Sequence, residues 1–338
     1  MAGSLVGRYA AVVCDLDGVV YRGPEAVDHA VGALGELTVP VVYATNNASR
    51  PPAEVAAHLS DLGLRVTAHE VVTSSQAGAA ELAGRLPESA VVLAVGGPGV
   101  REALTTAGLR VVLPAEVNDV DETPVSGVLQ GYGATVSASD LAEAAYAVSA
   151  GAVWVATNTD RTLPTHRGTA PGNGTLVDAV ATATGAEPTV VGKPYAPLYR
   201  LCAERLGMDV AGLLAVGDRL DTDIAGAVAA GMDSALVLTG VDSVTTLALA
   251  DARMRPTYLL EDLRDLAQEY HPAETDYSWW TCGGDRRRIV DGAWEVACKG
   301  TDLEAARAGV AALHEGLDLG ELSPADVRRL VSEIDRWQ

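Results

Sequence analysis

The sequence predicts an α/β protein built on a parallel sheet that is covered by helices on both faces. Short apolar runs rich in β-branched residues alternate with Ala- and Leu-rich helical stretches. Continuous apolar strands of this kind are typical of parallel sheets buried between helices. A second α/β stretch is inserted within this pattern, and a small α+β extension follows it at the C-terminal end.

The predicted elements outside the inserted stretch alternate between strand and helix. A helix at 51–62 has Ser49 as its N-cap and prolines in its first turn. The predicted strands there are 10–14, 39–44, 190–191, 213–216 and 235–238, and the other helices are 27–37 and 224–230. In the inserted stretch, the predicted strands are 90–95, 111–113, 127–132 and 152–156.

A chain of 338 residues has room for about two or three domains, and we expect three parts. The core comprises residues 1–80 and 188–269, the inserted α/β cap comprises 81–187, and the extension comprises 270–338.

The extension is rich in Trp, Arg and Asp. Its pattern predicts strands at 276–280 and 286–298 and helices at 302–314 and 324–336. A segment of ~65 residues buries only a small core by itself. We therefore expect the extension to dock on the rest of the chain or to dimerise.

The charge of the chain excludes several classes of partner. Lys and Arg number 24 and Asp and Glu 45, so the formal net charge is −21. A surface this acidic repels nucleic acid and anionic lipid, and an anionic metabolite would need a local positive site. The apolar runs are too short to span a bilayer and no signal peptide is visible. The four scattered cysteines are typical of reduced thiols, so we expect a cytoplasmic protein. From the charge and the short apolar runs, we expect no nucleic-acid or membrane partner.

Two carboxylates follow the first predicted strand. Asp15 and Asp17 stand two apart, and residues two apart on an extended chain face the same side. Both should therefore point into one site at the sheet edge where α/β proteins bind ligands. Gly18 permits the sharp turn that follows. Carboxylates this close need a shared cation or proton, although an exposed turn of the same composition is a common alternative.

Three further acids follow the predicted strand 213–216. Asp218 comes directly after the strand and is best placed to bind a hard cation, and Asp223 is placed to orient metal-bound water. Acids at a helix N-terminus also arise because they complement the helix dipole. That alternative accounts for Asp221 or Asp223 but not for Asp218.

Two polar segments at strand ends are candidates for holding a phosphate. Thr45, Asn46 and Asn47 follow the second predicted strand, where a hydroxyl and backbone N–H groups near a helix start can bind a phosphate. In isolation, an ordinary Asn-rich turn is an alternative of at least equal weight. Lys193 follows a short strand and is placed to neutralise a phosphate or the nucleophile, whereas a single loop lysine is usually only solvated.

In this chain order, the four motifs resemble those of the haloacid dehalogenase (HAD) superfamily of phosphohydrolases. Asp15-Leu16-Asp17-Gly18 matches the first motif, Thr45 the second, Lys193 the third and Asp218 to Asp223 the fourth. The second aspartate of the first motif is similar to the phosphatase pattern, which dehalogenases of this superfamily lack. The resemblance implies a Rossmann-like parallel-sheet core.

The insert between Thr45 and Lys193 resembles the cap of class IIA of this superfamily. That class includes 4-nitrophenyl phosphatases, phosphoglycolate and glycerol-3-phosphate phosphatases, pyridoxal phosphate phosphatases and nucleotidases. Segments 45–47, 157–174 and 192–194 look like its signature, and the resemblance covers residues 8–268.

The extension resembles the short acetyltransferase-like (GNAT) extension of some actinobacterial glycerol-3-phosphate phosphatases. It lacks a loop that would cradle the pyrophosphate of acetyl-CoA, and it is about half as long as an acetyltransferase domain. We therefore predict no acetyl transfer.

The HAD resemblance implies the chemistry of the acids. Asp15 would be the nucleophile that forms an aspartyl-phosphate, and Asp17 would be the general acid and base. Mg²⁺ would be bound by Asp15, the backbone carbonyl of Asp17 and Asp218, with Asp223 orienting its waters.

The resemblance also implies which residues hold the phosphoryl group. Thr45, the backbone N–H of Asn46 and Lys193 would bind its oxygens. Asn47 would contact the phosphate or the cap. These donors and the cation would supply the local positive site that the acidic surface requires.

Substrate choice should depend on the cap, where segment 157–174 looks like the specificity loop. Its candidate residues are Asp160, Arg161, Leu163 and His166, although a solvated loop is an equal alternative for Arg161 and His166. Some pyridoxal phosphate phosphatases have a polar residue where Leu163 stands, so the glycolate and glycerol phosphatases are more similar. We expect glycerol 3-phosphate first and 2-phosphoglycolate second. Pyridoxal phosphate, nucleoside monophosphates and sugar phosphates stay open.

Two other classes of function stay open. A phosphotransferase or mutase would keep Asp15 and Asp17 but pass the phosphoryl group to a sugar hydroxyl. A non-catalytic regulatory protein would use the extension as an interaction surface, but it would need no nucleophile. We expect a phosphoric monoester hydrolase acting on a small phosphorylated metabolite, and the resemblance makes a homodimer the expected assembly.

Overall fold

The computed structural model of the chain describes residues 3–117, 124–165 and 167–336. The chain divides into two compact units. The first comprises Met1–Val41 and Met208–Gln338, and the second comprises Val42–Gly207. These boundaries differ from the expected limits of core, cap and extension, and that three-part division stays a prediction.

The elements alternate along the chain as the sequence predicts. The strands are β1 (Ala11–Cys14), β2 (Tyr21–Arg22), β3 (Glu25–Ala26), β4 (Val41–Thr45), β5 (Val71–Thr73), β6 (Val91–Val95), β7 (Arg110–Val112), β8 (Val125–Gln130), β9 (Val153–Ala156), β10 (Thr162–Thr165), β11 (Gly168–Pro171), β12 (Thr189–Val190), β13 (Leu213–Gly217), β14 (Asp233–Val237), β15 (Tyr258–Leu260), β16 (Glu274–Asp276), β17 (Trp279–Cys282), β18 (Asp285–Val290) and β19 (Ala293–Cys298). The α-helices are α1 (Ala30–Gly35), α2 (Pro52–Asp61), α3 (Ser74–Arg85), α4 (Pro98–Thr106), α5 (Ala138–Ser149), α6 (Asn173–Thr184), α7 (Ala196–Leu206), α8 (Ala225–Ala230), α9 (Val244–Ala248), α10 (Asp302–Asp318) and α11 (Pro324–Val331).

The first unit contains a parallel sheet in the order β15-β14-β13-β1. Every residue of β1 and β13 is buried, which explains their continuous apolar sequences. The predicted parallel α/β core is confirmed. Residues that leave β1 and β13 at their carboxyl ends emerge at the same edge of this sheet.

The extension docks on this sheet unit, as one of the two expected alternatives states. Helices α10 and α11 share a hydrophobic core with α9 and β15, in which Leu313, Leu330 and Leu247 are at most 2% exposed. The antiparallel sheet β16-β17-β18-β19 lies within the extension.

The two strands predicted for the extension are four in the structure. The predicted strand 286–298 is divided by a turn at Asp291 and Gly292, whose φ angles are +48° and +74°. Asp-Gly at positive φ is the signal of a tight hairpin turn. Tyr277, with φ of +54°, ends the first strand in the same way.

The second unit contains the parallel pair β4 and β5 and a five-stranded parallel sheet in the order β12-β9-β8-β6-β7. Apolar residues of this sheet pack with α5 and α6 into a second hydrophobic core. The expectation for Ser49 is wrong: Pro51 is the N-cap of α2, and the Ser49 hydroxyl donates instead to Oδ1 of Asn47 at 2.8 Å. Asx turns of this kind compete with helix capping for the same side chains.

All four cysteines are free thiols, as expected, and Cys298 is the exposed one among them. Burial raises the pKa of the Cys202 thiol to about 12, which keeps this thiol protonated and unreactive. Within the described ranges, no helix combines the length and apolar character that a membrane crossing needs.

Candidate active site

The first unit gathers carboxylates at the carboxyl ends of β1 and β13. The two strands pair in parallel with Cys14 opposite Val216, and the N–H of Asp15 donates to the Val216 carbonyl at 2.8 Å. Asp15 therefore leaves β1 beside the point where Asp218 follows β13. This is the sheet edge at which α/β proteins bind ligands.

Three of these carboxylates form a cluster. One oxygen from each of Asp15, Asp218 and Asp223 lies within 4.8 Å of the others, and Asp218 and Asp223 are buried. Three negative charges this close strongly disfavour one another unless a cation or protons neutralise them. Hard carboxylate oxygens are the ligands that Mg²⁺ prefers, so the donor set fits this ion.

Backbone N–H groups fix the buried carboxylates. Oδ2 of Asp218 accepts from the N–H of Val241 at 2.8 Å, and Oδ2 of Asp223 accepts from the N–H of Arg219 at 3.1 Å. Both acids are therefore oriented before any ligand binds, which lowers the cost of binding a cation.

A π-helical turn, Leu220–Ile224, places the two acids that it contains, Asp221 and Asp223, in different surroundings. It directs Asp223 into the cluster and leaves Asp221 at the surface, where Asp221 forms an ion pair with Arg219 at 2.9 Å. Turns of this kind are frequent at functional sites. Asp221 therefore takes no part in the cluster.

Gly18 leaves room for the carboxylate of Asp218. Its φ is +84°, and a Cβ at this position would collide with the carboxylate of Asp218. Asp17, immediately before it, is exposed. A general acid and base needs such access to substrate and water.

The second unit holds the other predicted residues. Thr45 ends β4 at 2% exposure, and its Oγ1 accepts from the N–H of Asn47 at 3.0 Å. Oδ1 of Asn47 accepts from the N–H of Ser49 at 3.1 Å. The side chain of Asn47 therefore stabilises the turn that follows β4.

Asn46, Asp160 and Lys193 are brought together although they are far apart in the chain. Oδ1 of Asn46 accepts from the N–H of Lys193 at 2.8 Å, and Nδ2 donates to the Lys193 carbonyl at 3.0 Å. The same Nδ2 lies 3.3 Å from Oδ2 of Asp160. Lys193 is only 4% exposed, and its Nζ donates to the Ala44 carbonyl at 3.3 Å.

The remaining cap candidates are not drawn into this group. Arg161 is exposed and forms an ion pair with Asp178 of α6 at 3.0 Å. Leu163 lies in the hairpin β10–β11, opposite Ala170. His166 lies outside the described residues.

Asn158 and Asn173 belong to the signature segment 157–174, and the sequence predicted no individual role for either. Nδ2 of Asn158 donates to the Asn46 carbonyl at 2.8 Å, and Nδ2 of Asn173 donates to the Asn158 carbonyl at 2.7 Å. Asn158 follows β9 much as Asn46 follows β4. A polar residue after an apolar strand was the signal that could have found it.

Comparison with known proteins agrees with this geometry. A model of haloacid dehalogenase-like hydrolases matches residues 12–110, and a HAD-hydrolase-like model matches residues 190–266. The chain is 46% identical over 266 residues to the D-glycerol 3-phosphate phosphatase of Mycobacterium tuberculosis, covering 79% of this chain and 73% of that protein. The chain belongs to the haloacid dehalogenase-like hydrolases. This hydrolase is also 36% identical over 265 residues to an acid sugar phosphatase of Staphylococcus saprophyticus, covering 78% of the chain and 98% of the relative.

Solved structures extend the likeness. A crystal structure of a glycerol phosphate phosphatase from Mycobacterium tuberculosis in complex with magnesium has a TM-score of 0.82 and 41% identity, covering 93% of this hydrolase and 92% of that chain. A p-nitrophenyl phosphatase from Archaeoglobus fulgidus has a TM-score of 0.69 and 30% identity, covering 77% of this hydrolase and 98% of that chain. The archaeal enzyme is matched almost whole by about three quarters of this hydrolase. The mycobacterial structure is matched by nearly all of it, so most of the C-terminal extension also has a counterpart there. The acetyltransferase-like character of the extension stays a prediction.

Proposed function

We propose that this hydrolase is a Mg²⁺-dependent phosphomonoesterase whose substrate is glycerol 3-phosphate. The main support for this activity is the cluster of Asp15, Asp218 and Asp223 at a sheet edge. One carboxylate oxygen from each of the three lies within 4.8 Å of the others. The 46% identity to the mycobacterial D-glycerol 3-phosphate phosphatase supports this substrate over 2-phosphoglycolate. The likeness to acid sugar phosphatases makes a sugar phosphate the second candidate.

Asp15 and Asp218 would hold Mg²⁺ together with the backbone carbonyl of Asp17, and Asp223 would orient metal-bound water. The ion would neutralise the clustered carboxylates and the charge on the transferred phosphoryl group. This role explains why three acids occupy a position where they would otherwise repel one another.

The remaining steps fall to Asp15 and Asp17. A carboxylate oxygen of Asp15 attacks phosphorus, the bond between phosphorus and the ester oxygen breaks, and Asp17 donates a proton to the departing alkoxide. Asp17 then takes a proton from water as the water oxygen attacks phosphorus. The bond between phosphorus and the Asp15 oxygen breaks, inorganic phosphate leaves, and the Asp15 carboxylate is restored.

Thr45, the backbone N–H of Asn46 and Lys193 would hold the phosphoryl oxygens. The burial of Lys193 supports its assignment, because a buried ammonium interacts with an anion more strongly than an exposed one. Segment 157–174 would recognise the rest of the substrate, with Leu163 as its apolar contact. The exposed ion pair of Arg161 with Asp178 favours a surface role for this arginine.

The test is phosphate release from glycerol 3-phosphate, 2-phosphoglycolate, pyridoxal phosphate, a nucleoside monophosphate and a sugar phosphate, with Mg²⁺ and with chelator. Asp15→Asn should lower the rate by roughly 10³-fold or more. Asp221→Asn is the matched control, because Asp221 comes from the same motif as Asp218 but lies outside the cluster. Transfer to a sugar hydroxyl instead of water would favour a phosphotransferase, and inactivity on every substrate would favour a regulatory protein.

We also propose that the hydrolase is a cytoplasmic homodimer. The free cysteines support a reducing compartment. Sedimentation of the full chain tests the dimer, and a monomer at micromolar concentration would contradict it.

A further inference from the structure

The backbone of Lys193 is held by a side chain rather than by a long strand. The strand before it, β12, has only two residues. The amide of Asn46 binds both the N–H and the carbonyl of Lys193, at 2.8 and 3.0 Å, as a neighbouring strand would. The position of this lysine therefore depends on the position of Asn46.

Asn46 is in turn held through its own backbone. Its carbonyl accepts from Nδ2 of Asn158 and from Oγ of Ser74, each at 2.8 Å. Nδ2 of Asn173, at the start of α6, donates to the Asn158 carbonyl at 2.7 Å. We call Asn173, Asn158 and Asn46 the amide relay, since each amide holds the backbone of the next residue toward Lys193.

The relay also joins the two ends of the candidate specificity segment, because Asn158 and Asn173 lie near its opposite ends and are hydrogen-bonded to each other. Asp160 strengthens the first of these ends. Oδ1 of Asn158 accepts from the N–H of Asp160 at 3.2 Å, while the Asp160 carboxylate lies 3.3 Å from Nδ2 of Asn46. Asn158 and Asn173 are 4% and 2% exposed. Burying amides costs free energy unless they are hydrogen-bonded, and apolar residues would fill these positions more cheaply.

The chain beside Lys193 is packed tightly against this network. A Cβ on Gly192 would collide with Oδ1 of Asn46 and with the Thr157 carbonyl. The backbone at 192–193 therefore has little freedom to shift relative to Asn46.

We propose that the amide relay positions Lys193 for phosphoryl transfer and ties that position to segment 157–174. The inference rests on the proposed function. Asn158 and Asn173 act as positioning residues, and the side chains of Asn46 and Asp160 serve the relay rather than the substrate. A change in the segment would therefore alter kcat through Lys193, in addition to any change in substrate binding.

Asn158→Ala tests the central link of the relay. Because small displacements of a catalytic group are costly, we expect kcat to fall by roughly 10- to 100-fold with KM changing by less than about threefold. In a Lys193→Ala background, Asn158→Ala should lower kcat by less than about threefold more, because the group it positions is gone. Equal losses in both backgrounds would overturn the proposal.

A second pair of variants needs no large change in the core. Ser74 and Ser75 are adjacent and fully buried, and each donates one 2.8 Å hydrogen bond to a backbone carbonyl, Ser74 to Asn46 and Ser75 to Ala48. We expect Ser74→Ala to lower kcat by about three- to tenfold and Ser75→Ala by less than about twofold, at similar melting temperatures. Equal activities of the two variants would overturn the proposal.

These outcomes separate the relay from the proposed function. A wild-type chain that releases no phosphate from any substrate contradicts the phosphatase assignment. An active wild type whose Ser74→Ala and Asn158→Ala variants keep full kcat contradicts the relay alone.

Discussion

Acid should weaken the docking of the extension through one half-buried histidine, His314. His314 of α10 lies with Nε2 2.8 Å from the Leu247 carbonyl of α9. A carbonyl can only accept, so Nε2 carries the proton in the neutral ring. Burial, with a smaller contribution from nearby Arg255, lowers the pKa of His314 from 6.5 to about 4, against the opposing effects of the Leu247 carbonyl and Asp318.

The direction in which pH changes the folding stability depends on which state, folded or unfolded, binds the proton at higher pH. In the unfolded chain the histidine is protonated below its ordinary pKa of 6.5, whereas in the folded chain it stays neutral to about pH 4. Stability from this group is therefore complete above the unfolded pKa and is lost as pH falls toward the folded pKa. The loss is ~2 kcal/mol between pH 8 and pH 5, and it approaches ~3 kcal/mol below pH 4.

The assay is urea unfolding at pH 8 and pH 5, followed by tryptophan fluorescence. Four of the five tryptophans lie in 270–338, so the signal reports mainly on the extension. His314→Gln keeps an N–H donor but does not titrate, and it should lose ~2 kcal/mol less than the wild type over this pH range. His271→Gln is the control, because His271 is exposed. Parallel losses in wild type and His314→Gln would refute the reasoning.

Three further predictions concern the metal site and the extension. Gly18→Ala should weaken Mg²⁺ binding by about 10- to 100-fold in calorimetric titration, because its Cβ would displace the Asp218 carboxylate; unchanged affinity would contradict the cluster geometry. Leu313→Ala should cost ~2–5 kcal/mol of unfolding free energy in urea, because Leu313 is fully buried in the core shared by the extension and the sheet unit. Arg287→Ala should cost ~3–5 kcal/mol, because it leaves the carboxylate of Asp285, 1% exposed, without its partner at 2.6 and 2.8 Å. In the same assay, Asp285→Leu with Arg287→Met should cost less than Arg287→Ala, and an equal loss would argue against the burial of this charge.

The carboxylate cluster of the first unit could be predicted from local sequence. Asp15 and Asp218 each follow a continuous apolar run, and such a run specifies a buried strand with its polar successor at the sheet edge. The sequence also favoured Asp223 over Asp221, but the π-helical turn that directs Asp223 into the cluster is visible only in the structure. The division between β18 and β19 was predictable in principle, since Asp291-Gly292 is a recognisable turn signal. The division between β16 and β17 at Tyr277 carries no such signal.

The sequence by itself determined the parallel α/β class, the strand ends and the acids that follow them, because each depends on a few neighbouring residues. Tertiary structure alone decided the amide relay and the setting of His314. The hydrogen bonds from Asn158 to Asn46 and from Asn46 to Lys193 join residues separated by more than 100 positions, and His314 meets Leu247 only because α10 packs on α9. Such contacts depend on how helices and strands that are distant in the sequence pack together, and local patterns of polarity do not predict that packing.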